Sequence, residues 1–299
     1  MHKLFLDAEG RFRTGWRILA LAVVLVAAIL TVNVGWKAAG LPGRATGGPW
    51  YFMLFAGLIS GAVLVGIKLL LRIFEGQGLV AIGLPVDPGA VRATMIGTAL
   101  GAVPVLLLLG IALAGGYGSV AYAGLGWAGF FSTLLPILVA GFLLAAWEEV
   151  VLRGYLLRQL TLGINAWAAA VITGLLFGLA HSGNPGANWE GLVYTALGGI
   201  MMAWLMFRSG SLWLLIGYHF GWNATASALL GLELSGFEEK ASIVTATLSG
   251  PDWLTGGSYG FEASLPALIC EALTLGMAIW LTGRRSASRR HASAFSRAC

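Results

Sequence analysis

The sequence predicts an all-α protein, a polytopic bundle of about eight membrane-spanning helices. Composition is the first reason: of 299 residues, 58% are hydrophobic and 10% charged, with a mean hydropathy of +0.83, too little polar surface to coat a soluble globule. The second is length. Apolar runs recur near the roughly 20 residues that a helix needs to cross hydrocarbon. The third is punctuation, because turn-forming residues fall between the runs at Leu41-Pro42-Gly43, Leu84-Pro85, Asp87-Pro88-Gly89 and Asn184-Pro185-Gly186.

Residues 1–16 mix apolar side chains with Lys3, Arg11 and Arg13, Arg17 following directly, and are expected to lie in the membrane interface. The run after Arg17 is long and lacks a small-residue cleavage site, so it reads as an uncleaved span. Spans are expected at about 17–36, 51–71, 92–114, 128–158, 165–182, 191–208, 211–231 and 264–283, one transmembrane domain over 17–283. A basic tail, 284–299, is expected to meet anionic lipid on the cytoplasmic side.

Orientation follows from charge. With a cytoplasmic N-terminus, that side collects Lys68, Arg72, Arg92, Arg153, Arg158, Arg208 and the arginines of the tail. The other side receives Lys37, Arg44, Glu190 and an acidic loop with Glu233, Glu238, Glu239, Asp252 and Glu262 against Lys240. The positive-inside rule then places both termini in the cytoplasm. The net charge of +5 needs no nucleic acid to explain it, since the basic residues flank apolar runs. Two cysteines, Cys270 in an apolar run and Cys299 at the end, supply neither a disulfide framework nor a thiolate metal site. No prenylation box is present, because that signal needs a cysteine four from the end.

The chemistry begins at Trp147-Glu148-Glu149-Val150-Val151-Leu152-Arg153. A charge near the bilayer centre costs at least ~2.5–3.5 kcal/mol, so each acid there needs a partner or a job. Glu149 has a partner at i+4, Arg153, which is expected to hold it and mark the cytoplasmic end of the fourth helix. Glu148, about 100° round the helix, is left facing something else. His181 and His219 both fall inside expected spans. Phe177 stacks on the face of His181 and Asn223 on that of His219, each at i,i+4.

From expected turns near residues 163 and 209, at about 1.5 Å per residue, Glu148 lies roughly 22 Å deep, His181 27 Å, His219 15 Å and Asn223 21 Å. Helix tilt can absorb that spread, so a single intramembrane site is allowed. For each histidine alone, interhelical hydrogen bonding is a sufficient role; the coincidence in depth of all four favours a site.

In that order, EExxxR, FxxxH and HxxxN on successive apolar helices resemble the CPBP family of intramembrane proteases, which includes the type II CAAX prenyl endopeptidases and the bacterial Abi or bacteriocin-processing proteins. The resemblance covers roughly Trp147 to Asn223, with family-like context at Arg208-Ser209-Gly210-Ser211-Leu212-Trp213, Gly256-Gly257 and Glu262-Ala263-Ser264. It implies a catalytic core of helices four to seven, about 128–231, in a multi-pass protein of a bacterial cytoplasmic (inner) membrane. By the same resemblance Glu148, with His181, activates a water, His219 and Asn223 stabilise the oxyanion, and Glu149 with Arg153 supports them. The substrate class it implies is a membrane-embedded or lipid-anchored peptide, prenylated proteins among them.

The residues themselves reach a compatible chemistry. Amide hydrolysis needs a base, a proton donor for the leaving amine and donors for the oxyanion. No serine or cysteine occupies a motif position; Thr173 and Ser182 are the nearest hydroxyls. Metal stays open: Glu148, His181 and His219 are a permissible zinc set with a fourth position for water, although the family is frequently described as metalloproteases and no cofactor is the preferred expectation. Asn223 is a poor zinc ligand and a good oxyanion donor. Two other classes compete with the protease: a proton-coupled transporter using the same acids and histidines, which calls for repeat symmetry that is not evident, and a non-catalytic scaffold or immunity protein.

Overall fold

The computed structural model describes residues 5–6, 10, 12–43, 46–237 and 241–288; the rest of the basic tail, 289–299, and Lys3, Arg11, Arg44, Glu238, Glu239 and Lys240 lie outside the described residues. All eight expected segments are helical: α1 (Thr14–Ala38), α2 (Pro49–Glu75), α3 (Pro88–Ala114), α4 (Trp127–Gly163), α5 (Ala166–Ala180), α6 (Trp189–Ser209), α7 (Leu212–Ala224) and α8 (Leu265–Ser288). The protein is an all-α polytopic bundle. Six of the helices, α1 to α4, α6 and α8, are long and apolar enough to cross a membrane.

Helix starts follow local chemistry. Asp87 accepts hydrogen bonds from the amides of Gly89 and Ala90 at 2.7 and 3.2 Å ahead of α3. Asn165, Asn188 and Ser211 do the same one turn into α5, α6 and α7.

The fifth expected span, 165–182, is shorter than supposed. Helix α5 has 15 residues, about 22 Å at 1.5 Å per residue, short of a ~30 Å hydrocarbon core. His181 is therefore its C-cap, not an interior residue. The turn that follows is covered by protein. Gly236 donates to the carbonyl of Tyr259 at 2.8 Å and packs its backbone on Pro185, while Ser258 Oγ donates to the carbonyl of Gly186 at 3.4 Å. Irregular backbone at membrane depth is tolerated when it is enclosed in this way.

The loops expected at 115–127 and 233–262 are not independent. They contribute β1 (Gly118–Tyr122) and β2 (Val244–Leu248), paired antiparallel with Gly118 opposite Leu248 and Tyr122 opposite Val244. Short helical turns at Asp252–Thr255, Gly257–Tyr259 and Phe261–Ala263 lead into α8.

Helix α7 is held by α3 at a backbone-to-backbone crossing. A Cβ on Gly97 or Gly101 would stand 2.1 or 2.0 Å from the carbonyl oxygen of Leu214 or Tyr218, and one on Gly217 or Gly221 would stand 2.2 or 2.1 Å from that of Thr94 or Thr98. Both helices thus carry a small-xxx-small stripe that lets dispersion contacts form at closest approach. The crossing fixes the height of α7, and with it His219, which lies between the two glycines.

At one end of α1, α2 and α4 a polar cluster is buried together. Glu75 Oε2 accepts from Arg158 Nε and Nη2 at 3.1 and 2.9 Å, Glu75 Oε1 accepts from Gln159 Nε2 at 2.6 Å, and Arg17 Nη1 donates to Gln159 Oε1 at 3.4 Å. It clamps the first helices to the distal end of α4.

Candidate active site

Helix α4 is regular from Leu135 to Glu149 and then widens into a π-helical turn over Val150–Leu156. Such turns recur at functional sites because they re-aim side chains without breaking the helix. Glu149 and Arg153 are both fully buried. Glu149 Oε1 accepts from Arg153 Nη1 at 3.0 Å, the pair that the spacing anticipates. Arg153 does not mark the helix end, however, since α4 runs on to Gly163 and the guanidinium turns inward. Its Nη2 donates to the carbonyl of Gly199 at 3.4 Å, and its central carbon lies 4.3 Å from the centroid of the Phe177 ring. That cation-π contact gives Phe177 a role from the α5 side.

Phe177 also orders the histidines, with its ring edge-on to His181 at 4.8 Å and to His219 at 5.8 Å between centroids. His181 Nδ1 lies 2.8 Å from the carbonyl oxygen of Phe177. A carbonyl can only accept, so Nδ1 carries the proton and Nε2 of the neutral ring keeps its lone pair. His219 Nδ1 is likewise bound to Glu149 Oε1 at 3.0 Å, which turns His219 Nε2 toward Glu148 Oε2 at 3.9 Å. The two glutamates therefore live differently: the Glu148 side chain is 27% exposed, that of Glu149 1%.

Glu148, Glu149, Arg153, Phe177, His181, His219 and Asn223 all line one cavity of about 110 Å³. Asn223 stands one turn beyond His219, just before the π-helical turn Thr225–Leu229 that extends α7. Among the described residues no three His, Cys, Asp or Glu side chains are grouped so as to hold a metal ion. Thr173 is buried with its hydroxyl committed to the carbonyl of Ala169 at 2.8 Å, and neither it nor Ser182 lines the cavity.

Residues 130–225 match the family described as type II CAAX prenyl endopeptidase Rce1-like. The chain carries an Rce1-like segment. It opens near the start of α4 and closes one residue past Ala224, so all three motifs fall within it, and the match agrees with the resemblance that those motifs carry. No curated protein matches the chain.

Outside the Rce1-like segment, the cavity is completed by Glu262, which the sequence offers only as family-like context, and by Glu271, which the motif reading passes over. Glu262, from the turn before α8, accepts from Trp222 Nε1 at 2.8 Å through Oε1 and from Ser235 Oγ through Oε2. Tyr259, on the neighbouring turn, has its phenol pushed above the ordinary value by burial and then by the charge of Glu262. Glu271, on α8, also lines the cavity. It carried the same signal as Glu148, an acid inside an apolar run, whereas nothing in the sequence tied Glu262 to Trp222.

Proposed function

We propose that this integral membrane protein is an intramembrane endopeptidase that cleaves a membrane-embedded or lipid-anchored peptide, prenylated proteins among its candidate substrates, by glutamate-activated water. The observation that carries the reading is the division of labour between adjacent glutamates. Glu149 is locked under Arg153 and His219, while Glu148 opens onto the cavity that two imidazoles, their Nδ1 atoms both committed, also line.

In this reading Glu148 takes a proton from water as its oxygen bonds to the scissile carbonyl carbon. The oxyanion that forms is met by the amide of Asn223 and by the Nε2–H of His219 as an imidazolium, whose Nδ1–H stays on Glu149. The intermediate then collapses, the C–N bond breaks, and the proton held by Glu148, or one relayed by His181, passes to the leaving amine. Arg153 and Phe177 act through Glu149 and the histidines as positioning residues. Asn223→Ala is expected to cost ~3 kcal/mol of transition-state stabilisation, read as a fall in kcat with little change in KM.

The test is proteolysis of membrane-anchored peptides, farnesylated and non-prenylated, by the purified protein with and without a strong chelator. Cleavage that resists the chelator is expected. Loss of activity on chelation with recovery on adding one zinc per chain would replace glutamate-activated water by a metal mechanism, and no cleavage of any anchored peptide would end the protease reading.

We further place both termini on the cytoplasmic side, with the basic tail against anionic lipid, from the charge asymmetry of the chain. Reporter fusions at the C-terminus and within residues 233–262 should give opposite signals. The same signal from both would reject this orientation.

A further inference from the structure

Of the four acids lining the cavity, Glu271 is the one that no described side chain hydrogen-bonds or closely ion-pairs, although Arg153 and His219 act on it across the cavity. Glu149 has Arg153 and His219, Glu262 has Trp222 and Ser235, and Glu148 faces His219. Glu271 makes no hydrogen bond or ion pair with any described residue, yet it sits on the inward stripe of α8 with buried Ala267, Cys270, Thr274, Leu275 and Ala278. Its carboxylate lies against α6 at Gly198, where a Cβ would stand 2.7 and 2.9 Å from Oε1 and Oε2. Gly198 makes room for the acid.

A second, independent vacancy lies on the same cavity. Tyr218, from α7, is 2% exposed and lines it, and the Tyr218 hydroxyl has no hydrogen-bond partner. A carboxyl group and a hydroxyl that no neighbour hydrogen-bonds each cost free energy in a low-dielectric interior until something partners them. Arg153, the cation of the cavity, is already bound to Glu149 and Gly199.

We infer that Glu271 and Tyr218 form a subsite for a primary ammonium of the substrate, the side chain of a lysine close to the scissile bond. The inference rests on the protease reading, since it names the substrate class for that same cavity. An ammonium brings three donors and a positive charge into contact with Glu271, and its compact head suits a cavity of about 110 Å³ that must also admit the peptide. A backbone amide supplies one donor without charge, and an apolar or anionic group leaves both positions unsatisfied.

Binding tests this without turnover. The full-length protein carrying Glu148→Gln is titrated with fluorescent, acylated eight-residue Ala/Leu peptides in which one lysine is placed at each position in turn, and with the norleucine counterparts. At least one register should bind tenfold or more tightly with lysine. The preference should vanish in Glu148→Gln with Glu271→Gln, and weaken with Tyr218→Phe. On the protein with Glu271 intact, n-butylammonium should displace the lysine peptide where n-pentanol does not, a measurement that stands even if the Glu271 variant folds poorly. Absence of a lysine preference in every register, its survival in folded Glu271→Gln, or equal displacement by the two competitors would overturn the subsite. Cleavage by the unsubstituted protein without a lysine preference would reject the subsite alone, whereas a Glu271-dependent lysine preference without cleavage of any peptide would reject the protease and keep the subsite.

Discussion

Glu148→Gln is expected to leave the protein folded and to reduce peptide hydrolysis by at least ~10²-fold, the usual cost of losing a general base. The substitution keeps volume and hydrogen bonding at a side chain that makes no close ion pair; its nearest charge partner is His219 Nε2 at 3.9 Å. Stability therefore has little to lose. The measurement is turnover of a defined anchored peptide alongside the thermal midpoint. Near wild-type turnover by folded Glu148→Gln would remove Glu148 from the reaction.

The adjacent substitution should fail in a different way. Glu149 is fully buried and receives both Arg153 and His219, so Glu149→Gln strands a guanidinium in the interior. Removing one partner of such a pair costs about 3–5 kcal/mol, against less than about 1 kcal/mol for an exposed pair. Folded yield and thermal midpoint are expected to drop well below those of Glu148→Gln. The spacing alone predicts that stability effect; the bond to His219 Nδ1 adds a second. Surviving molecules should turn over more slowly, because the imidazole loses the carboxylate that sets its tautomer and aim. A stable, fully active Glu149→Gln would show that neither link matters.

Much of this was legible in the residues because membrane helices write their constraints plainly. Apolar runs bounded by glycine, proline and asparagine located all eight helices, and i,i+4 spacing found the Glu149–Arg153 pair and the packing of Phe177 beside His181. What escaped depends on contacts between distant segments. The π-helical turns after Glu149 and Asn223 carry no compositional mark. Pairing of β1 with β2 joins loops more than 100 residues apart, and the turn after the early end of α5 at His181 is covered by the distant segment around Tyr259. Glu271 is another matter: the rule that singled out Glu148 applies equally to an acid in the last apolar run, and only the cavity shows which way it faces.

The glycine crossing of α3 and α7 bears on modularity. The Rce1-like segment, 130–225, contains the three motifs but not Gly97 or Gly101, and the backbone of α7 around His219 rests on those two residues. Nor does the segment contain Glu262 or Glu271, which close the cavity from the far side. The motif-bearing stretch is accordingly not a transplantable cassette. Grafted into a foreign bundle it would bring the reacting groups without the scaffold that sets their common height, and a minimal version of this protein would have to begin no later than α3 and retain α8.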